Sequence, residues 1–77
     1  MTIQITQTVD ARGLSCPMPI VKTAQAIKTI PSGGCFEVLA TDPGSVKDVA
    51  AWCRATGNTL VDQTSDGAVY HFVIQRK

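Results

Sequence analysis

A single histidine, three cysteines and no Cys-x-x-Cys pair leave this 77-residue chain without the ligand spacing of a zinc site, so no metal is expected. His71 has no nucleophile or orienting group placed beside it in the pattern, and it is not expected to act as a base. Three cysteines outside any paired framework agree with a reducing compartment rather than a disulfide scaffold. Charge is sparse too: charged residues make up 17% of the chain, the net charge is +1, and the cations are scattered from Arg12 to Lys77. Without a polybasic block, direct binding to nucleic acid or to a membrane surface is not expected. One Trp, one Tyr and two Phe give no platform on which bases would stack. No apolar run is long enough to span a bilayer, and Met1-Thr2-Ile3-Gln4 lacks the charged-then-apolar pattern of a secretory signal. The expectation is a cytoplasmic protein.

What is present suffices for a small core. Hydrophobic residues make up 44% of the chain, and 77 residues are near the lower limit for folding without metal or crosslinks. One domain covering residues 1–77 is expected, with no repeats and no linker.

The pattern is organised around Cys16-Pro17-Met18-Pro19. No N–H in the first turn of a helix has an intrahelical partner, so proline is tolerated there and its fixed φ suits that turn. With Cys16 as the N-cap, Pro17 falls at N1 and Pro19 at N3. The apolar residues Ile20, Ala24, Ile27 and Ile30, with Val21 beside them, then form an amphipathic stripe, leaving Lys22, Thr23, Gln25, Lys28 and Thr29 to water. Pro31-Ser32-Gly33-Gly34 stops the helix. On this reading the Cys16 thiol lies at the positive end of a helix, beside the free N–H groups of Met18 and Ile20. A helix N-terminus contributes about 0.3 to 1 kcal/mol to a nearby anion, and up to about 2 when partly buried. That would lower a thiol from near 8.5 to about 7 to 8, which suits sulfur exchange.

Before that motif, residues 3 to 9 alternate apolar with polar and read as a half-buried strand, broken by Asp10-Ala11-Arg12-Gly13. After it, Cys35 to Thr41 reads as a central strand. Asp42-Pro43-Gly44 is turn chemistry, and Ser45 with Asp48 resembles a capping box opening a second helix. That helix places Val46, Val49, Ala50 and Cys53 on one face, with Trp52 at its border, and stops at Gly57-Asn58. Thr59 to Gln63 reads as a third strand, Ser65-Asp66-Gly67 as a hairpin turn, and Val69 to Gln75 as a fourth strand. The order β-α-β-α-β-β predicts an α/β (α+β) two-layer sandwich, a four-stranded mixed sheet with two helices on one face.

The run from Asp10 through Gly13 and Cys16 to Pro19, the later Ala40-Thr41-Asp42-Pro43-Gly44-Ser45 and the order of elements resemble the TusA/SirA family of small sulfur-carrier proteins. The Cys-Pro-x-Pro (CPxP) entrance is the specific part, and the resemblance covers nearly the whole chain. It implies that Cys16 carries sulfur as a persulfide. The sulfur would come from a cysteine desulfurase or rhodanese-like donor and pass to an acceptor protein of a relay. Such relays serve tRNA thiolation, cofactor synthesis or oxidative sulfur metabolism. No cofactor is implied beyond the covalently held sulfur.

Cysteine is a poor N-cap compared with Ser, Asp or Asn, which favours a reactive role for Cys16 over a capping one. Cys53 reads as core. Cys35 follows Gly33-Gly34, and as a resolving thiol it supports a second reading: a redox or regulatory module with a reversible Cys16–Cys35 disulfide. Around the motif, Pro17, Pro19 and Gly13 shape the loop, and Asp10 and Arg12 tie it or face a partner. Met18 and Lys22 are candidates for partner contact, with packing onto the surface and plain solubility as their respective alternatives. A monomer is expected, a weak dimer being the alternative.

Overall fold

The alternating run near the N-terminus becomes strand β1 (Ile5–Ala11) in a computed structural model that describes residues 4–77. Ile3, read as the start of that strand, lies outside the described residues. Helix α1 (Met18–Ala26) follows and tightens into a 3-10 turn over Ile27–Thr29. Then come β2 (Cys35–Ala40), α2 (Ser45–Thr56), β3 (Thr59–Asp66) and β4 (Val69–Gln75), in the expected order.

The strands lie in the order β1-β2-β4-β3. β1 runs parallel to β2, with Val9 opposite Val38 and Ala11 opposite Ala40. β4 returns antiparallel between β2 and β3, so Phe36 faces Ile74 and Val38 faces Phe72. Those pairs share one face of the pleat with the inward residues of both helices. Val9, Phe36, Val38, Ala40, Phe72 and Ile74 of the sheet close on Val49 and Cys53 of α2 and on Ile30, while Ile20 and Ile27 pack at the edge. The two-layer sandwich is as predicted.

Three local departures have physical causes. β1 carries an extra residue between Ile5 and Thr8, because Ile5 pairs with Cys35 and Thr8 with Glu37. A bulge of this kind changes which face the preceding residue takes, and Ile5 is 44% exposed rather than in the core. On α1, Thr23 is fully buried and Val21 is exposed. At 3.6 residues per turn Thr23 lies in the middle of the face that also carries Pro19 and Ile27, and its hydroxyl is satisfied by donating to the Pro19 carbonyl at 2.8 Å. The hairpin turn lies later than expected. β3 pairs with β4 as far as Asp66 opposite Val69, leaving Gly67-Ala68 as a two-residue loop with Gly67 at φ +62.

Phe72 is fully buried and bridges β2 to the helices, so Phe72→Ala should cost about 3 to 5 kcal/mol in urea unfolding, whereas exposed Val21→Ala should cost well under about 1.

Candidate active site around Cys16

Parallel pairing of β1 and β2 ends both strands at the same edge, where Ala11 lies opposite Ala40. The segments leaving those ends therefore run side by side, and short hydrogen bonds join them. Gly13, in the left-handed region at φ +79, donates its N–H to Thr41 Oγ1 at 2.9 Å. The Cys16 N–H donates to Asp42 Oδ2 at 3.0 Å. Finally, the Cys16 thiol donates to Asp48 Oδ2 at 2.6 Å from the first turn of α2. Cys16 is exposed, so this carboxylate meets a sulfur that another molecule can also reach.

Upstream, Arg12 closes on Asp10. Its backbone N–H and Nε both donate to Asp10 Oδ1, at 3.1 and 2.9 Å, and Nη2 donates to Oδ2 at 3.0 Å. These bonds hold the Asp10 carboxyl at about 2, well below its ordinary 3.8. Lys22 reaches back from α1 to the Asp10 carbonyl at 2.9 Å. Asp10, near the end of β1, thus braces the turn at Arg12-Gly13, and Lys22 is tied to the same strand end rather than simply solvated. Met18, within the motif, is 45% exposed as an uncovered apolar side chain.

The helix entrance differs from the sequence expectation. Pro17, not Cys16, is the N-cap; Met18 is the first helical residue and Pro19, buried, the second. The amide of Met18 already donates to Ser15 O at 2.8 Å, and that of Ile20 to Pro17 O at 3.0 Å, so neither is free for a thiolate. The peptide bond between Cys16 and Pro17 is cis. At α2 there is no capping box: Gly44 is the N-cap, the Ser45 hydroxyl donates to the Asp42 carbonyl at 2.6 Å, and Asp48 turns to Cys16 instead.

This reverses the expected electrostatics. The Asp48 carboxylate accepting the S–H bond, followed by partial desolvation and the charges of Asp48 and Asp42, pushes the Cys16 thiol above its ordinary pKa rather than below it. A full negative charge in contact outweighs the partial charge of a helix end whose first amides are occupied. Both the contact and the neighbouring charges favour the thiol form of Cys16 over the thiolate.

The remaining candidates lie elsewhere. Cys35 opens β2, whereas Cys16 is bonded to the turn beyond the other end of that strand. Five steps of about 3.3 Å separate the strand ends by roughly 16 Å, far beyond the ~7 Å Cα separation that a disulfide allows. The Cys16–Cys35 pairing is therefore excluded within this fold. Cys53 is 3% exposed in the core, where burial pushes its thiol up. His71 lies 3.4 Å from Glu37 on the helix-free face of the sheet. Among the described residues no group of three potential ligands could hold a metal. Asp42 and Asp48 are the site residues that sequence reasoning missed. Their signal was positional, since functional groups in α/β sheets gather beyond the carboxyl ends of parallel strands.

The family described as sulfurtransferase TusA matches residues 7–76. The chain belongs to that family. It is 43% identical to the sulfur carrier protein TusA of Allochromatium vinosum, over 91% of this chain and 92% of that one. It is 38% identical to the TusA of Pseudomonas fluorescens, over 90% and 83% respectively. In fold it matches the crystal structure of a SirA-like protein from Desulfitobacterium hafniense, with TM-score 0.80 at 24% identity over 91% of this chain and 96% of that one. The TusA match thus runs from within β1 through α2 and takes in every residue that builds the Cys16 edge.

The Asp10–Arg12 tie carries a pH signature. A depressed carboxyl contributes its stabilisation above 3.8, and loses it as pH falls toward about 2. The Asp10 carboxyl carbon should titrate by NMR with a midpoint near about 2, moving back toward 3.8 in Arg12→Ala.

Proposed function

We propose that the protein is a persulfide carrier: it accepts a sulfur atom on Cys16 from a donor protein and passes it to an acceptor protein. The observation that carries this reading is that Cys16, in the Cys-Pro-Met-Pro motif of a TusA-family chain, is the exposed thiol of the three, held at the sheet edge by backbone bonds to a neighbouring turn. Exchange of sulfur requires an accessible sulfur and a leaving sulfur stabilised as an anion or by a proton. Cys53 meets neither condition.

The donor on this reading is a cysteine desulfurase or a rhodanese-like protein. The acceptor belongs to a relay for tRNA thiolation, cofactor synthesis or oxidative sulfur metabolism. The work is done by protein contacts in the cytoplasm, with Met18, exposed within the motif, and Lys22, exposed on α1, as contact residues and without direct binding of RNA or membrane. No cofactor enters the step, because the sulfur is held covalently.

The test is the intact mass after incubation with a cysteine desulfurase and cysteine, read before and after a reductant. A reducible gain of one sulfur mapping to Cys16 is expected, absent in Cys16→Ser and retained in Cys35→Ser and Cys53→Ser. Sulfur loading that survives Cys16→Ser overturns the assignment.

A further inference from the structure

Among the described residues, two carboxylates and no cation act on the reactive sulfur. Asp42, from the turn after β2, accepts the Cys16 backbone N–H and so fixes the loop. Asp48, from α2, meets the sulfur itself. The cations that flank the motif in sequence are bonded elsewhere, Arg12 to the Asp10 carboxylate and Lys22 to the Asp10 carbonyl. Asp48 therefore does for Cys16 what the sequence assigned to a helix end, but with the opposite sign. It holds the proton on, in hydrogen-bond contact along which the same proton can leave.

That contact matches a need of the chemistry. A thiol must lose its proton to attack a sulfane sulfur, and the displaced sulfur leaves more easily when a proton is at hand for it. We propose that Asp48 is the proton acceptor and donor of Cys16 in sulfur transfer, an inference that rests on the persulfide reading. On loading, the Cys16 S–H proton passes to Asp48 Oδ2, and the electron pair left on Sγ forms a bond to the outer sulfur of the donor persulfide. The donor's S–S bond breaks, its electron pair leaves with the inner sulfur, and that thiolate takes the proton from Asp48. The balance is Cys16–SH plus R–S–SH giving Cys16–S–SH plus R–SH. One S–S bond forms as another breaks, with no net oxidation or reduction. Delivery runs the same step in reverse, the acceptor thiol giving its proton to Asp48 and the departing Cys16 sulfur receiving it. Between transfers the carboxylate keeps the unloaded sulfur in its less reactive, protonated form.

The experiment compares wild type with Asp48→Asn in two reactions at neutral pH, each mapped to Cys16 by peptide mass. One is alkylation by iodoacetamide, whose iodide leaves without needing a proton. The other is sulfur loading from glutathione persulfide. Removing the charge should make alkylation several-fold faster, because more of the thiol ionises, while loading becomes about tenfold slower or more because the proton route is gone. Asp48→Glu, which keeps a carboxylate, should recover loading in part, and it keeps the test decisive if the Asn variant loses the fold by circular dichroism. Alkylation and loading rising together would reduce Asp48 to a bystander charge, and both unchanged would remove it from the site; either overturns the inference. A wild-type protein that takes up no sulfur overturns the carrier reading itself, which is distinct from wild type and Asp48→Asn loading equally fast.

Discussion

The parallel pairing of β1 with β2 is the constraint on which the site depends. Parallel neighbours must end at one edge, so the turn carrying Cys16 and the turn carrying Asp42 leave the sheet together. The pairing is held by burial: Val9 and Ala11 on one strand and Phe36, Val38 and Ala40 on the other are sealed under the helices. Slipping the register by one residue would turn those side chains to the opposite face, and would also part the Cys16 amide from Asp42. The core thus specifies the position of an exposed thiol several residues outside it.

What that position achieves differs from the familiar helix-end thiolate. The amides of α1's first turn are satisfied locally by Ser15 and Pro17, and the sulfur faces an acid from the second helix. A carrier exposed to solvent between two partners gains from a sulfur that is a thiol at rest, since the thiolate is the form that reacts indiscriminately. On the proposed route, a donor or acceptor need only shift the proton that the thiol donates to Asp48. Proline at positions 17 and 19 keeps the segment stiff, and the Asp10–Arg12 tie anchors its upstream end.

Much of this was legible in the sequence. Alternating and apolar runs, period-3.6 stripes and turn signals located all six elements in order, and the Cys-Pro-x-Pro entrance pointed to the family. The failures share a cause, which is that local pattern cannot see a contact between distant segments. Ser45 and Asp48 have capping-box spacing, but the side chain of Asp48 is bonded 32 residues away. Thr23 looks like a surface residue because it is polar, yet its hydroxyl is satisfied within its own helix and it can be buried. Ile5 fits an alternating strand, yet an extra residue opposite β2 moves it off the core. Cys35 and Cys16 are both cysteines outside the core face, and only the strand between them rules out their pairing.

The chemistry of the site turns on the protonation of one sulfur, and the most direct measurement is an NMR titration of the Cys16 β-carbon in the unloaded protein. The Asp48 contact predicts that Cys16 remains a thiol through the ordinary ionisation range near 8.5 and titrates above it. A midpoint at or below that value would contradict the account and return the site to a thiolate stabilised by the helix end.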